Sequence, residues 1–180
     1  MCRDPVPAWL PTKIQVDPWQ GGAGGTYDAL YAIFQRDFVA SRPWYDGREV
    51  WHFPDMEDGR EQVFWHLTSR EEKPRPVPRR MRHVVSLSSA QVQRYPDLRR
   101  SERLSWVRPI IEHATEDEIW AWDYLEGNGN THSYVWLRAW DFVVIMKKYP
   151  DRRRRLITSF YVDNDYKRQD LKRKYENRLL

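Results

Sequence analysis

The apolar positions of this chain change their period along its length. Tyr27, Leu30, Tyr31, Phe34 and Phe38 recur at i, i+3, i+4, i+7 and i+11, which puts them on one face of a helix over 27–40, capped by Thr26 and stopped at "SRPW". Two short aromatic and β-branched runs follow, "EVWHF" at 49–53 and "EQVFWHL" at 61–67. Asp58-Gly59 between them is a turn signal, so the pair predicts a hairpin; alternatively, Trp65-His66 opens an irregular loop. "RHVVSL" at 82–87 predicts a strand. Leu104, Val107, Ile110 and Ile111 return to helical spacing, with Asp97 and Ser101 as candidate N-caps, and Pro109 either kinks that segment or starts a new helix. From residue 118 the pattern is strand-like: "EIWAWDYLEG", "SYVWLRAW", "DFVVIMKKY" and "RLITSFYVD", with turns at 128–130 and 149–153. A charged helix capped by Asn164 or Asp165 closes the chain. Helices followed by contiguous strands predict an α+β fold: N-terminal helices on one face of an antiparallel meander of about four strands, then a C-terminal helix, with the other sheet face free to meet a ligand.

Composition sharpens this picture. Residues 1–25 carry Pro5, Pro7, Pro11 and Pro18 and then "GGAGG", which reads as an extended arm and flexible link before a single domain over 26–180. A chain of 180 residues buries roughly 70% of its unfolded surface, enough for a core without disulfides or metal. The single cysteine, Cys2, cannot form an internal disulfide, and no Cys/His cluster has zinc-ligand spacing. No apolar run approaches the ~18 residues of a membrane span, and the N-terminus lacks the apolar stretch of a secretory signal. The expectation is a cytoplasmic protein without metal or cofactor.

Charge is segregated. Residues 70–108 hold eleven Lys/Arg against four Asp/Glu, and residues 138–180 hold thirteen against six. Residues 112–126 between them hold six acids and no Lys or Arg. Basic strips on a chain of net charge +4 suit a polyanion partner. The ten tryptophans and ten tyrosines serve first as core, with some available to stack on nucleobases.

Three stretches could carry chemistry. His66 follows "VFW" and precedes Thr68, Ser69 and Arg70. "DLRRSERLSW" offers Arg99, Arg100 and Arg103, with Arg99 and Arg103 at i, i+4 on a helix. The last hairpin supplies Lys147, Lys148, Tyr149, Thr158, Ser159 and Tyr161. These types meet the needs of metal-free RNA cleavage: one group takes the 2′-hydroxyl proton, another protonates the leaving 5′-oxygen, and cations stabilise the phosphorane. Histidine titrates near neutrality, arginine binds phosphate bidentately, lysine acts as a point charge, and a threonine hydroxyl donates to a phosphoryl oxygen.

The order "FWHLTS", "DLRRSERLSW" and "DFVVIMKKYPDRRRRLITSFYVDNDYKR" resembles the barnase–EndoU–colicin E5/D–RelE-like nucleases (the BECR fold), in particular phage- and mobile-element-encoded members, over about residues 60–170. That resemblance implies a small α+β ribonuclease that needs no metal, a toxin-like role, and an immunity or antitoxin protein as partner. By the same resemblance His66 matches the catalytic histidine, Thr158 the hydroxyl of the terminal strand, and Arg99 or Arg103 the phosphate-binding helix arginine. The clear second histidine of the EndoU type is missing; His83 is the nearest spare, and Tyr149 or a lysine is left as the acid.

The expected site therefore comprises His66, Thr158, Arg103 and Tyr149 as catalytic groups, and Arg70, Arg99, Lys147, Ser159 and Tyr161 on the substrate. The expected product is a 2′,3′-cyclic phosphate, made by 2′-hydroxyl transesterification in a target or phage-infected bacterial cell. A different class stands beside it: a non-catalytic nucleic-acid-binding or phage and mobile-element interaction protein using the same basic strips.

Overall fold

The computed structural model describes residues 6–16, 22–71 and 94–179. The expected strand at 82–87, its His83 and most of the Pro/Arg-rich stretch before it lie outside the described residues.

The first helix, α1 (Gly22–Phe34), begins inside the glycine run rather than at Thr26, and the five residues Gln35–Val39 continue it as a π-helical turn. Leu30, Phe34 and Phe38 are buried, as their spacing requires. Two Asp-Gly pairs then make tight turns. Asp46 and Gly47 (φ 51° and 72°) join β1 (Trp44–Tyr45) to β2 (Arg48–Trp51). Asp58 and Gly59 (φ 49° and 77°) join β3 (Met56–Glu57) to β4 (Arg60–Glu61). Positive φ at both central residues is what a two-residue hairpin turn demands.

The expected strand at 61–67 is instead a helix, α2 (Gln62–Thr68). Val63, Phe64, Leu67 and Thr68 are its buried residues, and the Thr68 hydroxyl donates to the Phe64 carbonyl at 2.9 Å. A seven-residue segment with only four apolar positions satisfies a helical stripe as readily as a strand; here the helical packing of Phe64 against Tyr27, Tyr31, Phe34 and Trp65 decides the outcome.

After α2 come β5 (Ser69–Glu71) and β6 (Arg94–Pro96), paired antiparallel. Asp97 caps α3 (Leu98–Ser101), accepting from the Arg100 amide at 3.2 Å. Ser101 is no cap: it is buried, and its hydroxyl donates to the Thr68 carbonyl. A 3₁₀ turn over Leu104–Trp106 leads into α4 (Val107–Glu112), in whose first turn Pro109 sits, where no helical amide is needed.

The remaining strands are β7 (Ile119–Leu125), β8 (Thr131–Leu137), β9 (Phe142–Lys148) and β10 (Arg154–Tyr161), followed by α5 (Asp165–Glu176), which Asn164 caps. The molecule is thus α+β, with a mostly antiparallel six-stranded sheet in the order β1-β2-β10-β9-β8-β7. The sheet is larger than the four strands expected because β2 adds to β10 in parallel and brings β1 with it.

One face carries the main core, where Phe142, Val144, Met146 and Leu156 meet residues of α1, α2 and α4. The expected free face is only half free. α5 lies over the end that carries Trp122, Tyr134, Val143 and Val162. The leading segment also packs inward: Leu10 is buried, the Ile14 amide donates to Glu102, and the Trp106 indole donates to the Pro11 carbonyl.

The four arginines at 152–155 are not one solvated turn. Arg152 pairs with Asp46 and Arg153 with Asp151. Arg154 is 3% exposed, donates to Ser133 and the Arg152 carbonyl, and lies within 3.4 Å of Asp123 and 5.4 Å of the Tyr45 ring. This buried cluster clamps the β1–β2 ribbon to the sheet. Burial, reinforced by Asp123, pushes the Tyr45 hydroxyl up to about 12, against the pull of Arg154. An unfolded tyrosine ionises near pH 10, so the contribution of Tyr45 is intact below that value and is lost as pH rises from there towards 12. Chemical denaturation between pH 9 and 12 should therefore show stability falling by about 1–3 kcal/mol more in the parent than in Tyr45→Phe. Parallel curves for the two proteins would contradict this placement of the ring.

Candidate functional site

β2 pairs with β10 only at Arg154 and Arg155. Beyond that point the edge of β10 is covered by α2 and α3 rather than by a strand. The β9–β10 register also shifts between Leu156 and Thr158, so Ile157 is a bulged residue. A bulge reverses which face the following side chains occupy. Leu156 pairs with Met146 on the main-core face, whereas Thr158 pairs with Ile145 on the face carrying α5. The bulge therefore brings Thr158 to the open end of the sheet.

Around it is a cleft of about 420 Å³ lined by His66, Ser69, Arg70, Arg100, Ile157, Thr158, Phe160 and Lys167. Each element contributes for a local reason. α2 ends at Thr68, and the Ser69 amide closes its last helical bond on the Trp65 carbonyl, so the carbonyls from His66 onward have no helical donor. Arg100 supplies one: its Nη1 donates to the His66 carbonyl at 2.7 Å, to the Ser69 carbonyl at 3.2 Å and to the Thr158 hydroxyl at 3.4 Å. The Thr158 hydroxyl in turn donates to the His66 carbonyl at 3.1 Å.

Two carboxylates balance the cations. Asp97, 7% exposed, pairs with Arg70 and lies 3.3 Å from Arg100 Nε. Asp163 lies 2.8 Å from Lys167 and 3.5 Å from Arg70. The Lys167 hydrogen bond, aided by the nearby Arg70 charge, holds the Asp163 carboxyl below its usual range despite partial desolvation. Burial pulls the Arg100 guanidinium down, opposed by Asp97; an arginine keeps its charge under such a shift. With a neutral imidazole, three cations and two carboxylates leave the cleft with one net positive charge.

Six of the expected residues take other places. Arg103 is 6% exposed, pairs with Glu102, and packs over Trp106 and Tyr161. Arg99 covers Tyr161 from the same side, with its guanidinium 4.9 Å from the ring centroid, and lines a neighbouring depression with Arg70 and Asp163. Tyr161 is thus roofed by two arginines. Ser159 is fully buried on the core face, with no hydrogen-bond partner for its hydroxyl among the described residues. Tyr149 and Lys147 lie together in a separate cleft by the β9–β10 turn.

The structure therefore brings together His66, Arg70 and Thr158 and adds Arg100, Lys167 and Ser69. Arg100 was visible in "DLRRSERLSW", but i, i+4 spacing favoured its neighbours, and α3 ends before Arg103. Nothing in the charged pattern of α5 marked Lys167.

Replacing Arg100 by Ala leaves Asp97 with one guanidinium fewer and the His66 and Ser69 carbonyls without that donor. Urea denaturation should show a loss of about 2–4 kcal/mol for Arg100→Ala and a smaller one for Arg100→Lys, which keeps charge but not the fork. A change below about 0.5 kcal/mol for Arg100→Ala, the level of an ordinary surface substitution, would show that the guanidinium is not a strut. In comparisons with known proteins, no family model, no curated protein and no solved structure matches this chain.

Proposed function

We propose that this protein is a toxin-like endoribonuclease that works without a metal ion. It would cut RNA by attack of a 2′-hydroxyl on the adjacent phosphate, leaving a 2′,3′-cyclic phosphate. The observation that carries this reading is the meeting of His66, Arg70, Arg100, Lys167 and Thr158 on one cleft.

In this reading the His66 imidazole accepts the 2′-hydroxyl proton as the 2′-oxygen bonds to phosphorus. The bond from phosphorus to the 5′-oxygen then breaks, and that oxygen takes a proton from the Lys167 ammonium, the lysine on the cleft, rather than from Tyr149. Arg70 and Arg100 stabilise the phosphorane charge. A cleft with one net positive charge suits a singly charged phosphodiester better than a doubly charged phosphomonoester. General acid–base action supplies roughly 10²–10⁴-fold, and positioning and charge stabilisation supply the rest. An immunity or antitoxin protein that covers the cleft would restrain the activity in the bacterial cytoplasm where it acts.

One observation favours a second reading. Arg70, Arg100 and Lys167 already have carboxylate partners. A site in that state could hold a nucleic acid, or a phage or mobile-element protein, without reacting.

His66→Ala decides between the two. The first reading expects RNA cleavage to fall by about 10²-fold or more, with the thermal transition and RNA affinity nearly intact, and expects parent activity to survive excess EDTA. Equal cleavage by parent and variant would remove His66 from the chemistry. Activity lost in chelator would indicate a metal nuclease, and tight binding with no cleavage by the parent would support the second reading.

A further inference from the structure

α5 covers only one end of its sheet face, and the uncovered end has a regular composition. Cross-strand pairing lines up Trp51 (β2), Arg155 (β10), Lys147 (β9), His132 (β8) and Tyr124 (β7) in one row, whose last member lies at the margin of α5, with the Lys174 ammonium 5.3 Å from its ring. Directly paired residues point to the same side of a sheet, so all five share a face. Strands are about 4.8 Å apart, which makes the row about 19 Å long. All five residues are half-buried, so each keeps part of its surface in solvent.

The cations of this row are in a different state from those of the cleft. Among the described residues neither Lys147 nor Arg155 has a carboxylate partner; each lies on a ring instead. The Arg155 guanidinium is 4.0 Å from the Phe53 centroid, and the Lys147 ammonium is 5.3 Å from that of Tyr149. Trp51 joins these rings, 5.2 Å from Phe53 and 5.7 Å from Tyr149. Among the described residues the buried donors Trp51 Nε1 and Arg155 Nε have no hydrogen-bond partner. Burial, together with Lys174, Lys147 and Arg155, holds the His132 imidazole below its ordinary value despite Glu126, so this ring enters the row uncharged at neutral pH.

We propose that this row is a platform for single-stranded nucleic acid, with bases stacking on its rings and the backbone lying against Lys147 and Arg155. Unpaired bases offer exposed π-faces, and guanidinium and ammonium groups already seated on rings can meet phosphates without leaving a carboxylate. An acidic peptide would satisfy the cations but not the rings, and a duplex keeps its base faces hidden. The position fits a single strand as well: Thr158, on the cleft, is three residues along β10 from Arg155, about 10 Å away on the same face. The inference concerns binding alone and stands whether or not the cleft cuts RNA.

The test uses the full chain carrying His66→Ala, so that loss of cleavage cannot enter the result. A fluorescent 12-nucleotide RNA is titrated as a single strand and as a duplex, and the bound single strand is challenged with polyglutamate. We expect Lys147→Ala with Arg155→Ala to weaken single-strand binding at least tenfold. The slope of log affinity on log salt should fall by about 1.4, roughly 0.7 for each phosphate contact removed. The duplex should bind more weakly than the single strand, and polyglutamate should displace it poorly. In the protein without the two alanines, the Trp51 indole N–H signal should shift on adding RNA while that of Trp106, already bonded to Pro11, stays in place; this arm does not depend on the folding of any platform variant. Unchanged affinity in the folded double variant, displacement by polyglutamate at matched charge, or an unmoved Trp51 signal at saturation would overturn the proposal.

Discussion

The Arg100 guanidinium holds three chain segments together at the cleft: the last turn of α2, the start of β5 and the bulged part of β10. Its charge is balanced from below by Asp97, which also caps the helix that carries Arg100. A guanidinium suits this role because Nη1 donates to two carbonyls and a hydroxyl while Nε stays 3.3 Å from Asp97, a combination that no carboxylate or hydrocarbon could supply. The bulge at Ile157 completes the arrangement, since without the register shift Thr158 would face the core and the cleft would lose its strand-borne hydroxyl.

Electrostatic balance divides the exposed face into two regions. In the cleft, Arg70, Arg100 and Lys167 are held by Asp97 and Asp163, which fixes their positions and limits the net charge to what one phosphodiester neutralises. Along the uncovered row, Lys147 and Arg155 rest on aromatic faces without a carboxylate among the described residues. Ordered, nearly neutral groups suit chemistry at one phosphate, whereas unmatched cations on rings suit capture of a chain. α5 separates neither region from the other; its first turn contributes Lys167 to the cleft and its body seals the far end of the same face.

Much of the architecture is legible in the sequence. The stripe from Tyr27 to Phe38, the strand-like runs after residue 118, the turn at Asp58-Gly59 and the caps Asp97 and Asn164 all have local causes that tertiary packing leaves in force. The errors share a physical origin. "EQVFWHL" is too short for its period to distinguish strand from helix, and the rings of Tyr27, Tyr31 and Phe34 settle the matter from elsewhere in the chain. Spacing singles out Arg103 only on an unbroken helix, and α3 is four residues long; Ser159 qualifies by its hydroxyl alone, and as the neighbour of Thr158 on β10 it takes the opposite face. His66, Arg70 and Thr158 could be singled out by chemical type, but their common cleft depends on the bulge at Ile157 and on Arg100, neither of which a pattern of apolar residues encodes. The parallel β2–β10 pairing was equally invisible, since it joins segments about a hundred residues apart.

The central claim is that this cleft uses the substrate's own ribose to break the chain. Its most direct measurement is the cleavage of a short RNA by purified protein, alongside the same strand carrying a single 2′-deoxy sugar on the 5′ side of the cut. The account predicts that the all-ribose strand yields ends bearing a 2′,3′-cyclic phosphate and that the deoxy-substituted link is not cut at all. Cleavage persisting at the deoxy link, or products ending in a free 3′-hydroxyl and a 5′-phosphate, would contradict it.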